Sequence, residues 1–261
     1  MKQEVAQMLV SLDKFNTAEN YTIFVPSVNK PVQFSYLTVK QQKDMLKSAF
    51  DTKTSVFLFI ETFNRIIADA CKEPIAFNII DKAIIALHFK EHFFKGKSYA
   101  KKKDDTLAEF DLSTHLNTIP AAGIPDDLVK KTIVSGPLTV ECSVPTLAYE
   151  TAISAESRGV INAIIQEKKE ENLRDAVGEI YIFEILKFIN TIKYTFNNEP
   201  VVIDMTIMPL KEKAVVFENL PSTVNNLIID YIKSIRNFEK TYLSVGDLTI
   251  SIDPTFFNKT D

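Results

Sequence analysis

The chain has 261 residues and carries 30 Lys and Arg side chains against 34 Asp and Glu side chains, a net charge of −4. Hydrophobic residues make up 46% and charged residues 25%, which excludes a disordered chain, a collagen and a coiled-coil rod. The mild acidity argues against a dedicated nucleic-acid binder, and the absence of glycine-rich motifs among only 6 glycines argues against a phosphate-binding glycine loop.

The first strands and helix are predicted close to the N-terminal end. Asn20–Val25 and residues 32–37 have strand patterns, and the polar connection at residues 26–30 joins them. Thr38 has the character of an N-cap, so we expect a helix over Val39–Ala49.

Three further helices are predicted from amphipathic periodicity, at residues 2–13, 56–70 and 81–94. Pro74 is expected to end the second of them, because a residue before proline avoids the helical region. Asp81 is expected to cap the third, and Gly96 to close it.

Strand patterns follow a charged run at residues 95–105, which predicts an exposed loop. Apolar and polar side chains alternate at residues 108–112 and 138–144, so each predicted strand has one face on a core and one in water. Between them, residues 121–127 predict a turn.

The remaining part of the chain alternates helix and strand patterns. Charges alternate at residues 166–172, which predicts a solvated helix face. The later elements are a helix at 177–194, a strand at 201–208, a helix at 222–243 and a strand at 248–253. Glu184 and Lys187 form a charged pair in the first of these helices, and Pro254 stops the last strand.

This order lacks a regular βαβ rhythm and predicts the α+β class, with mixed helices and short, mostly antiparallel sheets. We expect two domains: residues 1–100, a hairpin with helices, and residues 101–261, an α+β domain that ends in a helix and a strand. Cys71 and Cys142 have no nearby partner and predict buried thiols in a reducing compartment. Without a leader or a long apolar run, we expect a soluble cytoplasmic product with no membrane span.

One short pattern indicates chemistry. His88, Glu91 and His92 fit H-x-x-E-H, the inverse-zincin pattern. His88 and His92 lie one helical turn apart, so both imidazoles can reach one Zn²⁺, and Glu91 can act as general base toward a zinc-bound water. Residues 93–97 also look similar to those that follow this motif in insulinase-type zinc proteases.

The same residues have a structural interpretation. The third ligand of those proteases is a distant Glu that is reached through a glycine-rich strand, and no such strand precedes the motif here. The candidates for it in this chain are Glu167, Glu170 and Glu171, which stand in a charge run. Ile84, His88 and His92 form an i, i+4 line on an amphipathic helix, where His is tolerated at the edge of a core. We therefore assign no catalytic, cofactor-binding or metal-binding residue, and keep a zinc-dependent metallopeptidase as the alternative.

Other polar residues are assigned to the surface. His115 is expected on the polar side of a strand. Two acidic pairs are expected to be turn residues: Asp104 with Asp105, and Asp126 with Asp127. Five lysines surround Tyr99, namely Lys95, Lys97, Lys101, Lys102 and Lys103. We expect them to form a solvated loop or a docking patch for an acidic protein, and not a nucleic-acid site.

A family resemblance rests on a combination of short segments. Residues 21–27 are YTIFVPS and residues 32–46 are VQFSYLTVKQQKDML. One predicted helix ends near Cys71, and the next follows Asp81 into a basic turn. In these features, and in the ending LTISIDPTFF at residues 248–257, the chain resembles the baseplate hub assembly proteins of contractile-tailed (myovirus) bacteriophages.

The resemblance covers the first predicted domain and, more weakly, the C-terminal end. It implies a structural or assembly component of a phage tail baseplate hub that acts through protein–protein contacts and is not an enzyme, with no cofactor. The implied partners are other baseplate or tail proteins and further copies of the chain, in the virion or the infected host cytoplasm. The candidate partner surfaces are residues 26–30, residues 95–105 and the edge of the C-terminal strand.

Overall fold

The computed structural model describes residues 8, 20–49, 55–94, 97–166, 170–196, 199–253 and 255–257. Apart from Met8, the helix predicted over residues 2–13 lies outside the described residues, as do Gly96 and Pro254. The described residues form helices and three antiparallel sheets, so the predicted α+β class is confirmed. None of the helices in these ranges is both long and apolar enough to cross a membrane.

The elements in the described ranges are numbered in chain order. The helices are α1 (Val39–Ala49), α2 (Ser55–Ala70), α3 (Ile79–Phe93), α4 (Leu112–Thr118), α5 (Asp126–Val129), α6 (Leu147–Gln166), α7 (Glu170–Leu186), α8 (Leu210–Glu218) and α9 (Ser222–Leu243). The strands are β1 (Asn20–Val25), β2 (Lys30–Ser35), β3 (Ser98–Lys101), β4 (Leu107–Phe110), β5 (Lys130–Ser135), β6 (Leu138–Ser143), β7 (Ile189–Phe196), β8 (Glu199–Asp204), β9 (Ser244–Val245) and β10 (Leu248–Thr249).

The chain forms two compact units. Unit 1 consists of Met1–Phe77, Asp81–Gly123 and Leu243–Asp261, and unit 2 of Asn78–Ile80 and Ile124–Tyr242. The domain boundary predicted after residue 100 falls inside β3, whose residues all belong to unit 1. The C-terminal segment therefore belongs to the same unit as the N-terminal hairpin.

The hairpin and first helix of unit 1 follow the sequence pattern. β1 and β2 pair antiparallel, with Ile23 opposite Val32, and both side chains are fully buried. Before α1, Oγ1 of Thr38 accepts the N–H of Gln41 at 3.2 Å, while Oε1 of Gln41 accepts the N–H of Thr38 at 2.9 Å. This reciprocal capping box confirms Thr38 as the N-cap.

Phenylalanine side chains form much of the core of unit 1. Phe63 packs edge-on against Phe89, with ring centroids 6.2 Å apart. From the other end of the sequence, Phe257 inserts beside Phe63 at 5.3 Å and beside Phe94 at 4.9 Å. The C-terminal segment is thus anchored by a fully buried aromatic ring.

Two caps in this part of the chain differ from expectation. α3 begins at Ile79, before the predicted start, because the side chain of Asn78 accepts the N–H of Ile80 at 2.9 Å. Asp81 is buried and accepts the N–H of Ser27 at 2.9 Å, so its prediction as the cap was wrong. A buried carboxylate that receives a backbone donor pins the turn between β1 and β2 to this helix.

The region from residue 95 to residue 112 holds more regular structure than expected. The predicted loop contains β3, which pairs antiparallel with β4. The strand predicted at residues 108–112 ends at Phe110, because the Asp111 carboxylate accepts the N–H of Thr114 at 3.0 Å and starts α4. The final predicted strand is shorter than expected: β10 is only two residues long, and it lies between β3 and β9, so its prediction as an open edge was wrong.

Unit 2 contains a four-stranded antiparallel sheet in the order β5-β6-β7-β8. The helix predicted over residues 177–194 was wrong beyond Leu186, because residues 189–196 form β7. This segment is rich in β-branched and aromatic residues, and Ile192 pairs with Val140 in the buried part of the sheet. The strand predicted at residues 201–208 ends at Asp204, which accepts the N–H of Thr206 in a turn.

The long helix α9 follows its predicted apolar stripe. The buried members of the stripe are Val224, Ile228, Tyr231, Ile235 and Tyr242, and Phe238 is half-buried. The hydroxyl of Tyr231 donates to the carbonyl of Leu128 at 2.8 Å, which ties α9 to α5 within unit 2. Neither β5 nor α8 was predicted from the sequence.

Candidate functional site

The H-x-x-E-H residues lie at the C-terminal end of α3 in unit 1. The rings of His88 and His92 are nearly parallel, at 15°, with centroids 6.3 Å apart. The side chains of His88 and Glu91 are half-buried, whereas His92 is exposed and packs against the ring of Tyr21, with centroids 4.5 Å apart. Burial, together with the charge of His92, lowers the pKa of His88 to about 4, so this imidazole is neutral at pH 7.

The third ligand proposed from the sequence cannot be placed beside these histidines. Glu167 lies outside the described residues, and the side chains of Glu170 and Glu171 are also outside the described part of the chain. Among the side chains that are described, no group of three or more His, Cys, Asp or Glu could hold a metal ion. Within these limits, the described arrangement is two imidazoles on one helical turn.

His115 does not lie where the sequence predicted. It is in α4, not in a strand, and only 5% of its surface is exposed. Its ring packs edge-on against Phe110, with centroids 6.2 Å apart. The spacing of Asp111 and Thr114, a capping pattern, was the sequence feature that could have identified this helix.

The two acidic pairs differ in their outcome: Asp126 and Asp127 lie in the first turn of α5, so their prediction as turn residues was wrong. Asp104 accepts the N–H and the hydroxyl of Thr106 at 3.1 and 2.6 Å, as expected of a turn residue. Cys142 is buried, and desolvation raises the pKa of its thiol to about 12, which makes it a poor nucleophile. Cys71 is only half-buried, contrary to expectation, and its thiol donates to the carbonyl of Glu73 at 3.3 Å.

A cleft of about 370 Å³ opens over one face of β3 in unit 1. Tyr99 and Lys101 share this face, because alternate residues of a strand point to the same side, and Lys97, which directly precedes β3, also lines the cleft. We call it the lysine cleft and define it by these three residues together with Lys90, Ser251 and Phe256. The sequence identified Lys97, Tyr99 and Lys101 as a cluster but described their surroundings as a loop.

Lys90 was missed in the sequence, although it occupies a position with a visible pattern. It lies one helical turn from the buried residues Ala86 and Phe94, and it is itself only 3% exposed. Burial lowers the pKa of its ammonium group. A lysine on the buried stripe of a helix was therefore the feature that pointed to a cavity wall.

Charge in the lysine cleft is predominantly positive among the described residues. Lys97 forms an exposed ion pair with Glu109 at 2.9 Å, which raises the pKa of Lys97. Asp253 is the single carboxylate in the described lining, and its oxygen already accepts the N–H and hydroxyl of Thr255 at 2.8 and 2.6 Å. The described lining thus contains three ammonium groups and one carboxylate.

Unit 2 presents apolar side chains along an outer strand. β8 is the last strand of its sheet in the described part of the chain. Val201 is 46% exposed and Val202 is 58% exposed, on opposite faces of this strand. Tyr194, which pairs with Val201 on β7, is exposed as well. Among the described residues, no strand pairs with the outer edge of β8, and apolar side chains lie on both of its faces.

Comparisons with known proteins give no relatives that could assign these features. No family model, no curated protein and no solved structure matches this chain.

Proposed function

We propose that this chain is a structural or assembly component of the baseplate hub of a contractile phage tail. It acts through protein–protein contacts and catalyses no reaction. Its partners are other baseplate or tail proteins and further copies of the chain, in the virion or in the cytoplasm of the infected host.

The outer edge of β8, with which no described strand pairs, is the observation that carries this proposal. An outer strand offers backbone donors and acceptors to an extended segment of another chain, and exposed apolar side chains add contact area. Val201 and Val202 provide that area on the two faces of β8. The partner segment expected here is a strand of another tail protein that extends the sheet of unit 2.

The order of elements in unit 1 also supports the proposal. The segments that carry the family resemblance correspond to β1, β2 and α1, followed by α2 ending at Ala70 beside Cys71 and by α3. This is the succession of strand, strand and three helices that the resemblance implies. The resemblance does not extend to β8, so the two lines of support are independent.

The test uses tagged chain produced during infection by the phage that encodes it. We expect the chain in purified baseplate intermediates, detected by mass spectrometry. Its presence in finished virions distinguishes a retained component from a factor that acts only during assembly. Absence of the chain from every tail intermediate would overturn the proposal.

A matched pair of variants tests the surface. Val202→Lys places a charge on β8, whereas Val215→Lys places the same charge on α8, where Val215 is 59% exposed. We expect Val202→Lys to reduce incorporation into intermediates at least tenfold and Val215→Lys to leave it unchanged. Equal incorporation of the two variants would exclude the β8 edge as the contact.

A zinc-dependent metallopeptidase is the second candidate, and the placement of His88 and His92 on one turn of α3 favours it. Elemental analysis of the purified chain is its test. One zinc per chain, lost in His88→Ala and accompanied by peptide hydrolysis, would support the enzyme. Zinc-free protein after purification in the presence of zinc would exclude it.

A further inference from the structure

We propose that the lysine cleft of unit 1 binds a free nucleotide, whose phosphate groups contact Lys90, Lys97 and Lys101 and whose base packs against Tyr99 and Phe256. This function is additional to the assembly role and does not depend on it. The cleft has no glycine-rich phosphate loop, so lysine ammonium groups supply the positive charge that backbone N–H groups supply in such loops.

The positions of the lysines favour a ligand with extended negative charge. Lys97 directly precedes β3 and Lys101 is its last residue, so about four residues of extended chain separate their Cα atoms by roughly 13 Å. Both lysines line the cleft together with Tyr99, so their ammonium groups can contact separate phosphates of one diphosphate. The ion pair between Lys97 and Glu109 is exposed and therefore weak enough to exchange for a phosphate.

The remaining lining suits a ring with polar substituents. Tyr99, Leu107 and Phe256 contribute apolar surface, and aromatic faces stack on nucleobases of any kind. Ser251 and Thr255 add hydroxyl groups for the sugar or phosphate oxygens. The volume of about 370 Å³ is at the lower end of the range for small-molecule sites, which runs from about 300 to 1,000 Å³.

The burial of Lys90 favours a small ligand over an acidic protein surface as the binding partner of the lysine cleft. Lys90 is 3% exposed, so only a group that enters the cleft can contact it. An acidic protein would instead meet the exposed lysines of the turn after β3, such as Lys103, whose side chain is 88% exposed. The cleft combines a buried cation with aromatic walls, and this combination fits a phosphorylated ring better than a carboxylate-rich peptide.

Isothermal titration calorimetry of the full chain is the test. The probes are ADP, GDP, UDP, adenosine, pyrophosphate, a single-stranded dT12 oligonucleotide and a Glu-rich peptide. We expect one-to-one binding of at least one nucleoside diphosphate, at least tenfold tighter than adenosine or pyrophosphate alone. If no nucleoside diphosphate binds, or if only the oligonucleotide or the peptide binds, the proposal is wrong.

Three variants locate the site. Lys101→Gln removes a cation of the cleft, and we expect it to weaken nucleotide binding about tenfold. Lys103→Gln removes the same charge outside the cleft lining and is expected to leave binding unchanged. Phe256→Leu should weaken nucleotide binding while leaving pyrophosphate binding as it was. Circular dichroism checks that each variant is folded. Equal effects of Lys101→Gln and Lys103→Gln would show that binding is non-specific and would overturn the proposal.

Discussion

The ammonium nitrogen of Lys187 lies 3.3 Å from Oε1 of Glu150, and neither side chain is more than 5% exposed. Lys187 also contacts the more exposed carboxylate of Glu184 at 2.8 Å. The sequence predicted the contact with Glu184 but not the one with Glu150, which comes from a different helix. Removing Lys187 takes its ammonium group away from the buried carboxylate of Glu150, whereas removing Glu150 leaves Lys187 its contact with Glu184.

Lys187→Met should therefore destabilise unit 2 by about 3–5 kcal/mol, because the buried carboxylate of Glu150 loses its ion pair with Lys187. Urea unfolding followed by circular dichroism measures the loss. The matched control is Lys193→Met, whose ion pair with Glu141 is exposed and whose removal should change stability by less than about 1 kcal/mol. Similar losses in both variants would contradict the role assigned to burial.

Thr38→Ala should destabilise α1 by about 1 kcal/mol, because the N–H of Gln41 loses its acceptor at the helix start. Thr38→Ser keeps the hydroxyl and should retain most of the stability. The hydrogen-exchange rates of the first backbone amides of α1 measure the local loss of stability. Unchanged exchange in Thr38→Ala would show that the cap contributes nothing.

Phe257→Ala should cost about 3–5 kcal/mol, because it leaves a cavity beside Phe63 and Phe94 in unit 1. Phe256→Ala removes the neighbouring ring, which is only half-buried, and should have a smaller effect. Thermal unfolding of both variants compares the two positions. A larger loss in Phe256→Ala would contradict the assignment of Phe257 as the anchor.

The stability of unit 1 should fall as the pH drops from about 6.5 to about 4. Burial lowers the pKa of His88 from 6.5 to about 4, so the unfolded chain takes up a proton at this residue before the folded one does. His88 is neutral in both states above pH 6.5, where its contribution is fully present. Over this pH range, the titration of His88 lowers the free energy of unfolding by at most about 3 kcal/mol.

The measurement compares the wild type with His88→Gln, which cannot titrate at this position. Urea unfolding at pH 7, 5 and 4 gives the free energy of unfolding for both chains. The carboxylates and His92 titrate in both chains. The difference between the two free energies of unfolding therefore reports on His88. Parallel pH profiles would refute the prediction.

Periodicity predicted the elements in which one buried face determines the pattern. The stripe of α9 and the alternation of β2 are examples, since their apolar positions are the buried ones. It failed at residues 189–196, where the predicted helix was extended through a strand that begins shortly after α7 ends at Leu186. There the pairing of Ile192 with Val140 on β6 stabilises a strand. This pairing is a tertiary contact, which sequence periodicity cannot predict.

The candidate sites were predictable to different extents. Lys97, Tyr99 and Lys101 were visible as a local cluster, but the alternation of Tyr99 and Lys101 on one strand face requires β3 to be recognised within the charged run. Lys90 joins them only through tertiary structure. The position of β8 as the outermost strand of the described sheet depends on the strand order, which local residue preferences do not encode.

The discontinuous make-up of unit 1 imposes an order on folding during synthesis. Residues 124–242 belong to unit 2 and leave the ribosome before Phe257 does. The aromatic core around Phe63 therefore stays incomplete while the whole of unit 2 emerges, and a nascent chain exposes that apolar surface for the intervening time. A ribosome that stalls between these segments would release a product with one finished unit and one unfinished core.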